Sequence, residues 1–204
     1  TLPIKTVEET VEPERVVKPL LDKCNMETSV FIITDLKKSK TKRKPPPPFI
    51  TSTMQQEASN KLGMSPNVVM KCAQRLYENG LITYHRTDSL MISDDAMKSI
   101  KDFITTTWDE KHYKETRYKT KSKNSQEAHE ACRPTDIKKF SVLSEANIQF
   151  SENRLYQLIW KRTVGSQMTP ADVEIKTIKI NLQETDYHFT GKFEKIIFPG
   201  FLKI

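Results

Sequence analysis

Tyr84 and Arg86 stand two residues apart in the run Gly80-Leu81-Ile82-Thr83-Tyr84-His85-Arg86-Thr87-Asp88-Ser89. In an extended backbone, positions i and i+2 share a face, so the phenol and the guanidinium point the same way. A phenol is a poor nucleophile at neutral pH because its reference pKa is about 10. A fixed positive charge beside it favours the phenolate, and the same charge can neutralise a phosphate oxygen. The pair therefore suits attack by a tyrosine on a phosphodiester. Taken alone it is also what ordinary packing produces, since most tyrosines are half-buried with a wet hydroxyl.

The elements around this run are legible from spacing. A helix pattern ends at Asn79-Gly80, where glycine is the usual left-handed stop, and Leu81 to Tyr84 is a short β-prone run. Upstream, residues 51–80 read as two helices. Thr53 with Gln56 makes a capping-box pattern, Met54, Ala58 and Leu62 form a stripe, and Gly63 ends the first helix. Ser65-Pro66 starts the second, with serine as N-cap and proline at the first helical position. Val69, Cys72, Ala73, Leu76 and Tyr77 supply its buried face, leaving Lys71 and Arg75 off the stripe as the candidate DNA contacts. Helix, tight turn, helix and β-run is the winged-helix order. Ser93-Asp94-Asp95 caps a further helix with the stripe Met97, Ile100, Phe103 and Ile104, and another runs from about 153 to 168.

The two ends read differently. Pro13 suits a helix start, and Pro19 makes that helix short or kinked. Ser29–Thr34 is a buried-strand candidate. The basic run Lys37–Lys44 reads as a solvated loop or a phosphate-contacting edge, and Pro45–Pro48 stiffen a linker. Residues 109–125 are charged and irregular and read as a mobile loop, its Tyr113 and Tyr118 interleaved with cations in a way that can follow single-stranded DNA. The tail is β, Val173 to Leu182 and Tyr187 to Phe193, with a bulge expected between Ile175 and Ile178.

Three blocks in fixed order carry a resemblance. Pro48-Phe-Ile-Thr-Ser-Thr-Met-Gln-Gln-Glu-Ala58, the run containing Tyr84, and Ser125-Gln-Glu-Ala-His-Glu-Ala-Cys-Arg-Pro-Thr135 resemble the tyrosine domain of bacterial-type type IA DNA topoisomerases. The match is good over roughly residues 45 to 172. His85 departs from it, standing where the family usually has Met, and so does Cys132, where an aliphatic residue is common. The resemblance implies that Tyr84 attacks a phosphorus in single-stranded DNA and leaves a 5′-phosphotyrosine and a free 3′-hydroxyl. It implies that Arg86 stabilises the charge and that His129 lies against the scissile phosphate. Arg133 is a second positive group on that segment, or the partner of a neighbouring acid such as Glu130. Asp88 anchors Arg86 or faces solvent. The family also has a Mg²⁺-binding acidic domain of the Toprim type. Residues 1–47 hold no Asp-x-Asp cluster and the first residue is Thr1, so the chain reads as a piece of a larger enzyme, inactive in isolation.

The expected architecture is α+β: a helical, winged-helix-like domain over 48–168, and a β-rich arch or hinge domain from 1–47 and 169–204. Composition agrees with a polyanionic partner. Over 204 residues the net charge is +7, with 36% hydrophobic and 29% charged residues, which favours nucleic acid before membrane. No apolar run reaches spanning length. Cys24, Cys72 and Cys132 have neither metal spacing nor an even framework, which points to a reducing, cytoplasmic setting. The expected partners are single-stranded DNA and the remaining domains of the parent enzyme, with the protein a monomer. A winged-helix DNA-binding module without catalysis is the competing reading. It explains the helices and the charge but not the three ordered blocks.

Overall fold

The computed structural model describes residues 13–119, 129–183 and 185–204. The chain is α+β and divides into two compact units. One runs to Lys42 and resumes over Asp172–Phe198; the other comprises Arg43–Ala171 and Pro199–Ile204.

The second unit is helical. Its helices are α2 (Thr51–Leu62), α3 (Pro66–Glu78), α4 (Asp94–Thr107) and α5 (Phe150–Ser166). Ser65 caps α3 as expected, its hydroxyl accepting the Val68 N–H at 3.5 Å, with Pro66 at the first helical position. Gly63 ends α2 with φ of 67°, a region open to glycine without a Cβ penalty. The start of α2 differs from the sequence expectation. The helix begins at Thr51, and Thr53 instead accepts the Ile50 N–H at 3.2 Å. The apolar stripes of all four helices converge: Met54 and Ala58 of α2, Val69 and Leu76 of α3, Ile100 and Ile104 of α4, and Leu155, Ile159 and Val164 of α5. Burying one such Leu or Ile contributes about 1.5–3 kcal/mol. Tyr77, expected on the buried face of α3, is 41% exposed.

Residues 109–119, expected as a mobile loop, are built against the end of α5. A 3₁₀ turn over Glu110–His112 leads into a bridge between Tyr113 and Met168. The Thr116 N–H then donates to Gln167 Oε1 at 2.9 Å, and the Tyr118 hydroxyl donates to the Ser166 carbonyl at 3.2 Å. Residues 120–125 of the expected loop lie outside the described residues.

The first unit holds α1 (Pro13–Cys24) and a three-stranded sheet in the order β1 (Phe31–Arg43), β2 (Ala171–Leu182), β3 (His188–Phe198). Helix α1 continues through Pro19. Strands β2 and β3 are antiparallel, with Ile175 opposite Glu194. Strand β1 also runs antiparallel to β2: Val30 meets Gln183 at one end, and Lys42 meets Asp172 at the other. Three sequence expectations fail here. The Ser29–Thr34 candidate is strand from Phe31 on but not buried, and the basic run after it is, as far as Arg43, not a loop but the second half of β1. The register shift also lies between Asp172 and Val173 rather than between Ile175 and Ile178.

Candidate active site

The three sequence blocks meet in the helical unit through backbone hydrogen bonds. At the end of α3 the chain turns through Gly80, whose φ is 69°, and enters the Tyr84 run. That run is stitched to the histidine block from both sides. The Thr83 N–H donates to the Arg133 carbonyl at 2.9 Å, the Thr83 hydroxyl to the Ala131 carbonyl at 2.7 Å, and the Thr87 hydroxyl to the Glu130 carbonyl at 2.8 Å. It is stitched to the start of α2 as well. The Thr51 N–H donates to the Thr87 carbonyl and the Thr87 N–H to the Thr51 hydroxyl, both at 2.9 Å. The Cys132 N–H closes the triangle on the Phe49 carbonyl at 2.9 Å. Hydroxyls of Ser and Thr readily satisfy nearby backbone groups in non-helical chain, and here they replace the β-ladder that the run lacks. Only Ile82, bridged to Pro134, pairs as a strand residue would.

This stitching fixes an alternation. Tyr84, Arg86 and Asp88 are exposed, while His85, Thr87 and Ser89 are buried. Tyr84, 44% exposed, lines a hollow of about 440 Å³ with Tyr77, Thr83, Thr87, His129 and Glu130. The structure thus brings the tyrosine and the histidine to one concavity. Arg86 stands on the exposed side of the same run but does not line the hollow, and Asp88 faces solvent with no ion pair among the described residues. Residues 125–128 of the histidine block lie outside the described residues.

The other candidate cations divide. Arg133 is 14% exposed and turned onto Glu130, with Nη2 to Oε2 at 2.7 Å and Nε to Oε1 at 3.3 Å; its Nη1 donates to the Pro134 carbonyl at 2.9 Å. Glu130 also accepts the Ser93 N–H at 2.6 Å, tying the histidine block to the start of α4. Burial works to raise the Glu130 carboxyl, but the bonds from Arg133 and Ser93 outweigh it and hold the group below its ordinary value. Arg75 likewise points into the fold, to the buried Glu152 at 3.1 Å and the Asn147 carbonyl at 2.7 Å. Its bonds link α3 to the start of α5. Lys71 is exposed on α3.

Two further groups define what the site can do. Burial pushes the Cys132 thiol up to about 12, so it stays protonated and does not compete as a nucleophile. Among the described residues no three His, Cys, Asp or Glu side chains stand close enough to hold a metal ion. Glu130, the carboxylate at the hollow, is already committed to Arg133 and Ser93. The described residues therefore do not fit a Mg²⁺ site.

Fold and site together describe an α+β protein that presents an exposed tyrosine and a histidine around one open hollow. A family model described as DNA topoisomerase matches residues 4–204. A prokaryotic-type DNA topoisomerase 1 from Acanthamoeba polyphaga mimivirus is 43% identical over 183 residues, 86% of this chain and 21% of that protein. DNA topoisomerase 1 from Xylella fastidiosa is 44% identical over 184 residues, 84% of this chain and 22% of that protein. In structure, full-length topoisomerase I from Thermotoga maritima superposes with a TM-score of 0.75 at 35% identity, covering 91% of this chain and 31% of that one. The chain belongs to the type IA DNA topoisomerase family. It spans about a fifth of the length of the curated relatives it matches.

Proposed function

We propose that this chain is the tyrosine-bearing segment of an enzyme that cuts and rejoins one DNA strand. The observation that carries the reading is the meeting of Tyr84 and His129 at one hollow, held there by the Thr51, Thr83 and Thr87 bonds. The Tyr84 oxygen attacks phosphorus as the bond from phosphorus to the 3′-oxygen breaks. One phosphodiester is exchanged for another, so the 3′-hydroxyl can reverse the step without ATP. His129 donates to a non-bridging phosphate oxygen and Arg86 supplies charge against the developing phosphorane. Lys71 contributes phosphate attraction along α3. Arg133 and Arg75 act one step back, holding the histidine block and α5 in place.

The wider reading follows from the family. Single-stranded DNA is the substrate, DNA passes through the transient break to relax supercoils, and the helical unit is the winged-helix-like body that carries the tyrosine. The parent enzyme works as a monomer in the cytoplasm, beside the nucleoid if the source is bacterial. Mg²⁺, if held by acidic residues elsewhere in the parent enzyme, would supply electrostatic stabilisation at the phosphate. A DNA-binding module without catalysis leaves the shared hollow of Tyr84 and His129 unexplained. The deciding experiment is Tyr84→Phe in the full-length enzyme carrying this segment, with covalent adduct on a labelled oligonucleotide and thermal midpoint measured together. The adduct disappears while the midpoint holds to within about 2 °C, as for other exposed substitutions of small effect. An adduct formed by the phenylalanine variant removes the reading.

A further inference from the structure

His85 is completely buried, yet among the described residues neither ring nitrogen finds a hydrogen-bond partner. Buried polar groups are rarely left so, and an apolar side chain of similar size would fill the space without that cost. The ring's contacts are aromatic. It meets Tyr84 edge-on with centroids 5.4 Å apart and Tyr77 at 6.0 Å, and Tyr77 meets Tyr84 at 5.2 Å and 65°. Tilted and edge-to-face ring pairs of this kind stabilise beyond the area they bury. No hydrogen bond among the described residues holds the Tyr84 hydroxyl, so these two rings set the direction of the phenol.

We propose that His85 is a positioning residue for Tyr84: with Tyr77 it forms a ring cradle that aims the nucleophile, and it does so only as the neutral imidazole. The proposal rests on the reading of Tyr84 as nucleophile. Its physical basis is that neither ring nitrogen has a hydrogen-bond partner among the described residues. Protonation would add a charge and a second N–H donor in a dry place, with Arg86 adjacent in sequence to oppose it. Glu78, at the end of α3, is the charge that favours protonation, and the uncharged phenols of Tyr77 and Tyr84 complete the surroundings. Burial first and Arg86 second lower the imidazole's affinity for a proton, against Glu78. The ring therefore stays neutral and seated near pH 7. On acidification proton uptake draws it out of the cradle, and the phenol loses the contact that aims it. A misplacement of about 1 Å at a reacting group can cost on the order of a hundredfold in rate.

The test uses the full-length enzyme carrying this segment and follows single-turnover adduct formation on a labelled single-stranded oligonucleotide between about pH 5 and 8. His85→Ala, which leaves a hole beside the phenol, slows cleavage about tenfold or more at neutral pH, while oligonucleotide affinity stays within about twofold. His85→Met recovers most of that loss and moves the acid limb of the rate profile to lower pH. Tyr77→Leu, on a partly exposed ring, slows cleavage in the same direction and keeps the cradle testable should His85→Ala fail to fold. An acid limb that stays in place in His85→Met, or wild-type cleavage by Tyr77→Leu, overturns the proposal. Tyr84→Phe runs alongside. An adduct that survives in it sinks the nucleophile reading itself, whereas a Tyr84-dependent adduct indifferent to His85 sinks only the cradle.

Discussion

The helical unit and the sheet are built on opposite terms. In the helical unit each helix turns one stripe inward, and the stripes close on a single buried cluster that includes Phe49, Leu76, Ile104 and Ile159. In the sheet, Ala171, Val173 and Leu182 are the buried apolar side chains among the described residues, while Phe31, Ile32, Ile33 and Leu36 of β1 and Phe193, Ile196 and Ile197 of β3 stand exposed. The difference shows where precision can reside. A nucleophile must be held to a fraction of an ångström, and the chain places Tyr84, the nucleophile proposed above, where three segments are bonded to one another over a dense core. The sheet has backbone pairing but little side-chain packing of its own.

Matched truncations sharpen that contrast most. Ile159→Ala in α5 removes a fully buried side chain from the cluster and is expected to cost about 2–5 kcal/mol. Ile33→Ala in β1, at a position 64% exposed, is expected to stay within about 0.5 kcal/mol. Denaturant unfolding with one probe in each unit reads both. Equal losses at the two positions would mean that β1 is packed in solution, and the contrast would fail.

Acid sharpens it from within the helical unit. Glu130 is held below its ordinary carboxyl value although burial opposes this, because Arg133 and Ser93 bond to its charged form. A carboxylate depressed in the folded state binds fewer protons there than in the unfolded chain. Its stabilisation is therefore present above the unfolded value, near pH 4.3 in reference peptides, and is lost as pH falls through the lower folded value. Glu130→Gln is expected to cost about 1–3 kcal/mol at neutral pH, the range for bonds to a charged group. The gap between variant and wild type closes below about pH 4. A gap that persists unchanged into acid would mean that the carboxylate's charge contributes nothing. Because this bond network seats the histidine block, the variant also reports whether Tyr84 and His129 keep their common hollow.

What the sequence showed and what it hid follow the same division. The stripes of α3, α4 and α5 and the Ser65-Pro66 start are local, with helical period, and could be read directly. Strand β1 was legible only in its apolar first half, and its exposure and its length were not. A strand exposed on both faces has no alternation to display, and its cationic second half looks like solvated loop. The stitching of the site was hidden for another reason. Thr83 bonds residues 48 and 50 positions away, and Thr87 one 43 away. Nothing in local periodicity reports a contact of that span, although β-branched hydroxyls flanking Tyr84 in an extended run were a usable signal. The Glu130 and Arg133 spacing of three was a second one. It weighs against Arg133 as a free phosphate ligand.

The smallest expected effect concerns the edge of the sheet. Among the described residues strand β1 has a strand neighbour, β2, on one side only, so it is an edge of the sheet. Such an edge is a template for association with another chain, and charged side chains, lysine above all, are a usual defence. Here the division runs along one strand. Phe31, Ile32, Ile33 and Leu36 fill its first half, and Lys37, Lys38, Lys40 and Lys42 fill its second. The lysines are exposed, and their ion pairs, Lys37 with Asp35 and Lys42 with Asp172, are long at 3.4 Å. Surface pairs of this kind are worth about 0–1 kcal/mol. Neutralising Lys38 and Lys40 together, as Lys38→Gln with Lys40→Gln, is therefore expected to move the thermal midpoint by about 2 °C or less. Association should respond where stability does not. Removing two like charges from an apolar edge lowers the repulsion between copies, and sedimentation at rising concentration should show the double variant self-associating where the wild type does not. Added salt should bring the wild type toward the variant, since about 1 M salt shortens the screening length to about 3 Å. Identical sedimentation in both backgrounds would show that the lysines are not what keeps this edge apart. A midpoint shift as large as that of Ile159→Ala would place β1 among the packed elements and erase the contrast between sheet and helical unit.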